Sequence, residues 1–101
     1  MRKLEVDEYV VSTLLRDLVG HDRQPSAFLV YLYLWYLAER SASDTVEISL
    51  RELADGTGLS RRAVQDAISR LHKRRLVGIR RASITAVPEY RILRPWALRT
   101  N

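Results

Sequence analysis

Apolar residues recur at helical spacing in four stretches of this chain and alternate with polar ones in three shorter stretches. Between Asp7 and Val19, the residues Val10, Val11, Leu14, Leu15 and Leu18 form one stripe. That pattern predicts an amphipathic helix over 7–19, with Asp7 as N-cap and Gly20 as its stop. The polar segment Gly20-His21-Asp22-Arg23-Gln24-Pro25 is rich in helix breakers and predicts a loop. Ala27 to Ala38 is apolar on nearly every side. As a helix it spans about 18 Å, against roughly 30 Å for a bilayer's hydrocarbon core, so it is a core helix and not a membrane span. Phe28, Tyr31, Leu32, Leu34 and Trp35 suit the core. Tyr33 and Tyr36 are then left to the first helix, to a second copy of the chain, or to water.

Past the linker Ser41–Asp44, Thr45-Val46-Glu47-Ile48 alternates as a strand does. Ser49 opens a helix, and Glu52, three residues on, completes a capping box. Leu50, Leu53 and Ala54 give this helix its apolar stripe, and Gly58 ends it where a left-handed residue is wanted. Ser60 is placed to cap a second helix, in which Val64, Ile68 and Leu71 face inward. Arg62, Asp66, Ser69 and Lys73 fall on the opposite face, with Gln65 and Arg70 at its margins. Leu76–Arg81 and Glu89–Leu93 read as two strands around a hairpin tip at Ala82–Pro88. Pro95 stops the last strand, and Trp96 and Leu98 in the tail 95–101 have two destinations open: this chain's own core or a second chain.

Ala54, Gly58 four residues on and Val64 six further on have helix-turn-helix spacing. With the capping box, the capping serine and the arginine-rich outer face, residues 26–94 resemble the winged helix-turn-helix DNA-binding domain of bacterial and phage-type transcription regulators. The segment Leu53-Ala54-Asp55-Gly56-Thr57-Gly58-Leu59-Ser60-Arg61-Arg62 carries much of that likeness. The resemblance implies a mainly α fold with a small β-hairpin wing, as a single winged-helix domain over 1–101 with an additional N-terminal helix. In one place the chain departs from the pattern. Such domains commonly carry glycine where Arg75 stands, so Arg75 implies either backbone strain or a differently shaped helix end.

Composition changes the picture in one respect. Hydrophobic residues at 47% with charged residues at 29% fit a folded domain, and the length suits one modest core. Residues 1–59 hold 6 Lys/Arg against 10 Asp/Glu, a net charge of −4, while residues 60–101 hold 11 against 2, a net +9. The basic excess begins where the second helix of the motif begins, as a polyanion-binding face would have it. There are no cysteines, which excludes disulfides and thiolate-bound metal and agrees with a cytoplasmic location. No secretory signal is visible, since Glu5, Asp7 and Glu8 stand where an apolar region should begin.

Duplex DNA is therefore the expected partner, with helix 60–74 in the major groove and wing 77–93 on the flanking backbone or minor groove. Arg62 and Gln65 are placed to read base edges, Arg preferring guanine and Gln adenine. Ser60, Arg61 and Ser69 suit phosphate or adaptable contacts, and Arg70, Lys73 and Arg74 suit the backbone. Arg80 and Arg81 on the wing suit a narrow minor groove. Asp66 shares the reading face and is expected to pair with Arg62 and Arg70, each four residues away. A homodimer through the aromatic helix 27–38 is expected, and no membrane. No catalytic, cofactor or metal site is expected: His21 and His72 are isolated, and Gly56-Thr57-Gly58 lacks the lysine of a phosphate loop. A winged-helix protein-interaction or replication-initiation module is the alternative, because the fold serves both.

Overall fold

In the computed structural model, which describes residues 1–99 apart from the side chains of Leu98 and Arg99, helix α1 (Pro25–Arg40) is the element on which the others pack. Pro25 occupies its first turn, where a fixed φ and a missing N–H cost nothing. Its buried residues Ala27, Phe28, Val30, Tyr31, Leu34, Trp35 and Ala38 step by three and four around the helix. That sequence of small and large side chains lets α3, α2, the N-terminal helix and the sheet all reach it. Leu32, expected in the core, is only half-buried.

The N-terminal helix covers residues 8–21 and is wound mainly as π-helix, in the stretches Val10–Leu14 and Arg16–His21. The Leu15 N–H donates to the Val10 carbonyl, five residues back. This wider turn brings residues four apart into one row, so Val10, Leu14 and Leu18 are buried while Val11, Leu15 and Val19 face out. The expected five-residue stripe is thus narrowed. Gly20 does not stop the helix, and the Asp7 side chain does not cap it. The chain instead turns at Asp22, whose N–H donates to the Asp17 carbonyl, and Gln24 N–H closes onto the Leu18 carbonyl.

Strand β1 (Thr45–Glu47), helix α2 (Leu50–Thr57), helix α3 (Arg61–Lys73) and strands β2 (Val77–Arg80) and β3 (Glu89–Ile92) follow in order. The three strands form an antiparallel sheet in the order β1-β3-β2. Val77 pairs with Ile92, and Val46 and Ile79 flank Tyr90, so the inner face carries Val77, Tyr90 and Ile92 into the core. Four helices with a small three-stranded sheet in this order are compatible with a winged-helix layout.

Segments before the first helix and after the last strand close over α1. The Trp35 indole donates to the Glu5 carbonyl at 2.8 Å, and the Tyr31 hydroxyl donates to the Leu93 carbonyl at 2.9 Å. Burial pushes the Tyr31 phenol well above its ordinary pKa. Trp96, in the short 3-10 turn Pro95–Arg99, packs back within the chain: it stacks on Tyr9 at 4.5 Å and donates to the Asp7 carboxylate at 3.0 Å. The Leu98 side chain, whose destination the sequence left open, lies outside the described residues. Gly56 is explained by close approach, since a Cβ there would overlap the Tyr33 ring.

The end of α3 resolves the question at Arg75. Leu76 N–H donates to the Leu71 carbonyl and Arg75 N–H to the His72 carbonyl, while Leu71 and Leu76 are both buried. This is the hydrogen-bonding and apolar contact of a Schellman stop, with Arg75 in the left-handed position at φ 58°. Arg75 is exposed, so its own side chain adds little packing against the backbone strain. Arg75→Gly is expected to stabilise the fold by about 0.5–1 kcal/mol, raising Tm by roughly 2–8 °C in thermal unfolding. A lowered Tm would show that the arginine side chain holds the helix end.

Candidate nucleic-acid interface

The turn between α2 and α3 is built from short-range hydrogen bonds. Ser49 Oγ accepts from Glu52 N–H, and Glu52 Oε1 accepts in return from Ser49 N–H, each at 3.1 Å. The Ser49 backbone N–H first, and then the Ser49 hydroxyl donating to Oε1 at 3.0 Å, hold the Glu52 carboxyl below its ordinary range. Thr57 Oγ1 donates to the Leu53 carbonyl, and Gly58 sits at φ 80°. Ser60 Oγ then accepts from Ala63 N–H at 3.0 Å and starts α3. Val64, Ala67, Ile68 and Leu71 are buried, which fixes how α3 is rotated about its axis.

That rotation leaves Ser60, Arg61, Arg62, Gln65, Asp66, Ser69 and Lys73 exposed along the outer face. Arg62 pairs with Asp66 at 3.6 Å, both in solvent. Arg70, expected to share Asp66, turns the other way: its Nε–H donates to Gln24 Oε1 at 3.1 Å, and Asp22 lies 3.9 Å off. Arg74 is committed further. It forms a two-pronged pair with Asp22, Nε to Oδ2 at 2.8 Å and Nη2 to Oδ1 at 2.7 Å, with Asp17 at 4.0 Å. The last turn of α3 is therefore tied to the loop before α1, and its two arginines differ from the exposed cations of the first turns.

On the wing, Arg80 lies across from Glu89 in the β2–β3 register, on the sheet's outer face. Arg81 Nη1 donates to the Ile84 carbonyl and braces a tip at which Ile84 is 89% exposed. Among the described residues no cluster of three or more metal-ligating side chains occurs, and no helix is long and apolar enough to cross a membrane.

Asp22, Arg23 and Gln24 are the residues that sequence reasoning missed. Asp22 and Gln24 lie 46 to 52 positions from the arginines they meet, so no periodicity connects them. The one available signal was a carboxylate amid breakers just ahead of the core helix. No protein-family model, curated protein or solved structure matches the chain.

The Asp22 side chain is only 4% exposed, and the hydrogen bonds from Arg74 hold its carboxyl well below the usual carboxylate range. Desolvation opposes them, while the His21 hydrogen bond and the charges of Arg74 and Arg70 assist. A lowered folded-state pKa means that this stabilisation is complete above the unfolded value of about 3.9 and is lost as the pH falls below it. Asp22→Asn is expected to cost about 2 kcal/mol at neutral pH. Urea unfolding from pH 7 down to pH 3 should then show the variant losing less stability on acidification than the parent.

Proposed function

We propose that this chain binds double-stranded DNA in a sequence-specific way, as a small transcription regulator with α3 in the major groove. The observation carrying this reading is the two-sidedness of α3. Its inner residues are locked in the core, while Arg61, Arg62, Gln65, Ser69 and Lys73 project together from a rigid helix. A helix of this kind fits the major groove, where Arg62 would meet guanine O6 and N7 and Gln65 adenine N6 and N7. Asp66, paired with Arg62, sets the arginine's rotamer. Arg80 and Arg81 would reach the flanking backbone or minor groove.

Salt titration on a random duplex tests the reading. Arg74 is occupied by Asp22 and Arg70 by Gln24 with Asp22 nearby, which leaves Arg61, Arg62, Lys73, Arg80 and Arg81 as the cations of α3 and the wing for the phosphates of a random duplex. Their release of counterions predicts a log–log slope of about −4 to −5. On a selected site, Arg62→Ala should reduce discrimination by about 1–3 kcal/mol, whereas Asp66→Ala should alter base preference and leave non-specific affinity equal or higher. Absence of duplex binding at low salt would favour a protein-interaction or replication-initiation role for the same fold.

Pairing of two copies to read a palindrome belongs to the same proposal. Its support is what α1 leaves uncovered: Leu29 at 45% exposure, beside a groove of about 320 Å³ with Leu4, Leu32, Tyr33 and Tyr36. Tyr36 is in part satisfied within the chain, accepting from Arg40 at 2.9 Å. Sedimentation at high micromolar concentration should give a dimer mass, and a strictly monomeric mass there removes the pairing.

A further inference from the structure

Between the loop before α1 and the flank of α3 lies an open cleft of about 470 Å³, lined by Arg23, Ser26, Asp66, Ser69, Arg70 and Lys73 among others. Its lining is charged and hydroxylic, unlike the mainly apolar walls of a small-molecule pocket. The cations in it are not equivalent. Arg70 is held by Gln24 and lies near Asp22, and Asp66 is engaged with Arg62. The side chains of Arg23 and Lys73 have neither an ion pair nor a hydrogen bond among the described residues. Two uncompensated cations, from segments some fifty residues apart, thus share one concavity with the exposed hydroxyl of Ser69 and the half-buried one of Ser26. Arg23 is also presented from a left-handed backbone position, φ 53°, in a loop anchored on both sides by the Asp22–Arg74 and Gln24–Arg70 contacts.

We propose that this cleft seats a backbone phosphate of the DNA strand running along the Asp66–Arg70 flank of α3, with Arg23 and Lys73 as its two cationic holders. The assignment rests on the duplex-binding reading above and extends it to the N-terminal part of the chain. At about 100° per residue, Arg61 and Gln65 lie to one side of the Arg62–Ser69 line, while Ala63, Asp66 and Arg70 lie to the other. A helix in the major groove has a phosphate wall on each side. The loop 22–26 stands on the second of these sides, so its phosphate contact would set how far along and how deeply α3 sits. Such contacts position a protein without reading sequence.

The experiment uses the full chain and a duplex that it binds, measured by fluorescence anisotropy across a salt series. Arg23→Gln should weaken binding to every duplex by the same factor and make the log–log slope shallower, and adding Lys73→Gln should bring the change to about 1, the value for one lost phosphate contact. Single neutral methylphosphonate substitutions along both strands should then reveal one position at which the parent loses affinity, Arg23→Gln and Lys73→Gln each lose less, and the double variant loses nothing more. Because the Arg23 side chain supports no other contact, the variant's Tm should match the parent's, and equal Tm values separate lost contact from lost fold. Duplex binding with an unchanged slope in Arg23→Gln, or with its loss spread over all phosphates, overturns the cleft while leaving the duplex reading intact. Failure of the parent to bind any duplex at low salt overturns both. Inorganic phosphate that saturates the free chain at low millimolar concentration, and no longer does so in Arg23→Gln, would make the cleft a small-anion site and overturn the strand assignment.

Discussion

Trp35 and Tyr31 lie at the middle of α1 with their rings out of water, and each has one polar atom that must still be satisfied. An indole N–H or phenol O–H buried without a partner forfeits roughly 1–3 kcal/mol, so carbonyls have to be brought to them. Glu5 supplies one from the segment before the first helix and Leu93 the other from beyond the last strand. These two segments are thereby drawn to the same helix. There Arg94 lies 3.9 Å over the Trp35 ring, pairs with Glu39 at 3.1 Å, and approaches Asp7, which also accepts from Trp96. Aromatic burial near the centre of the fold thus fixes the placement of segments close to both termini.

The basic half of the chain is divided by a single carboxylate. Asp22 takes both prongs of Arg74 and lies beside Arg70, so the last turn of α3 is an anchor. The cations that remain for a partner come earlier on α3, with Lys73 near its end, and on the wing. Net charge by itself treats these arginines as equivalent, but a partly buried bidentate pair is not exchanged for a phosphate at the cost of an exposed one. The same pair holds the loop that presents Arg23, and so one contact serves both rigidity and the geometry of the outer surface.

Local backbone choices tell a parallel story at the two ends of the α2–α3 unit. Gly58 reaches φ 80° without a Cβ to obstruct it, whereas Arg75 reaches φ 58° with one. The second is tolerated because the Schellman hydrogen bonds and the buried Leu71–Leu76 contact determine the turn from both sides. Gly56 has a different reason to be glycine. It lies in a helix, where its small size admits Tyr33, which accounts within the chain for one of the aromatics that looked surplus.

What the sequence determined by itself was carried by contacts within about four residues, although the Asp7 cap, the Gly20 stop and the Asp66–Arg70 pair, of the same range, did not form. The Ser49–Glu52 box, the Ser60 cap, the Gly58 stop and the burial of Val64, Ile68 and Leu71 follow from helical period and side-chain reach, and the three strands from alternation. Only the tertiary structure decided which arginines are bound, because Asp22 and Gln24 meet Arg74 and Arg70 across 52 and 46 positions, where no repeat links them. It also decided the winding of the first helix, whose Val11 and Leu15 read as core on an α-helical wheel and face outward on a wider turn. Packing against α1 selects a single row there, and that selection depends on a surface assembled from distant parts of the chain.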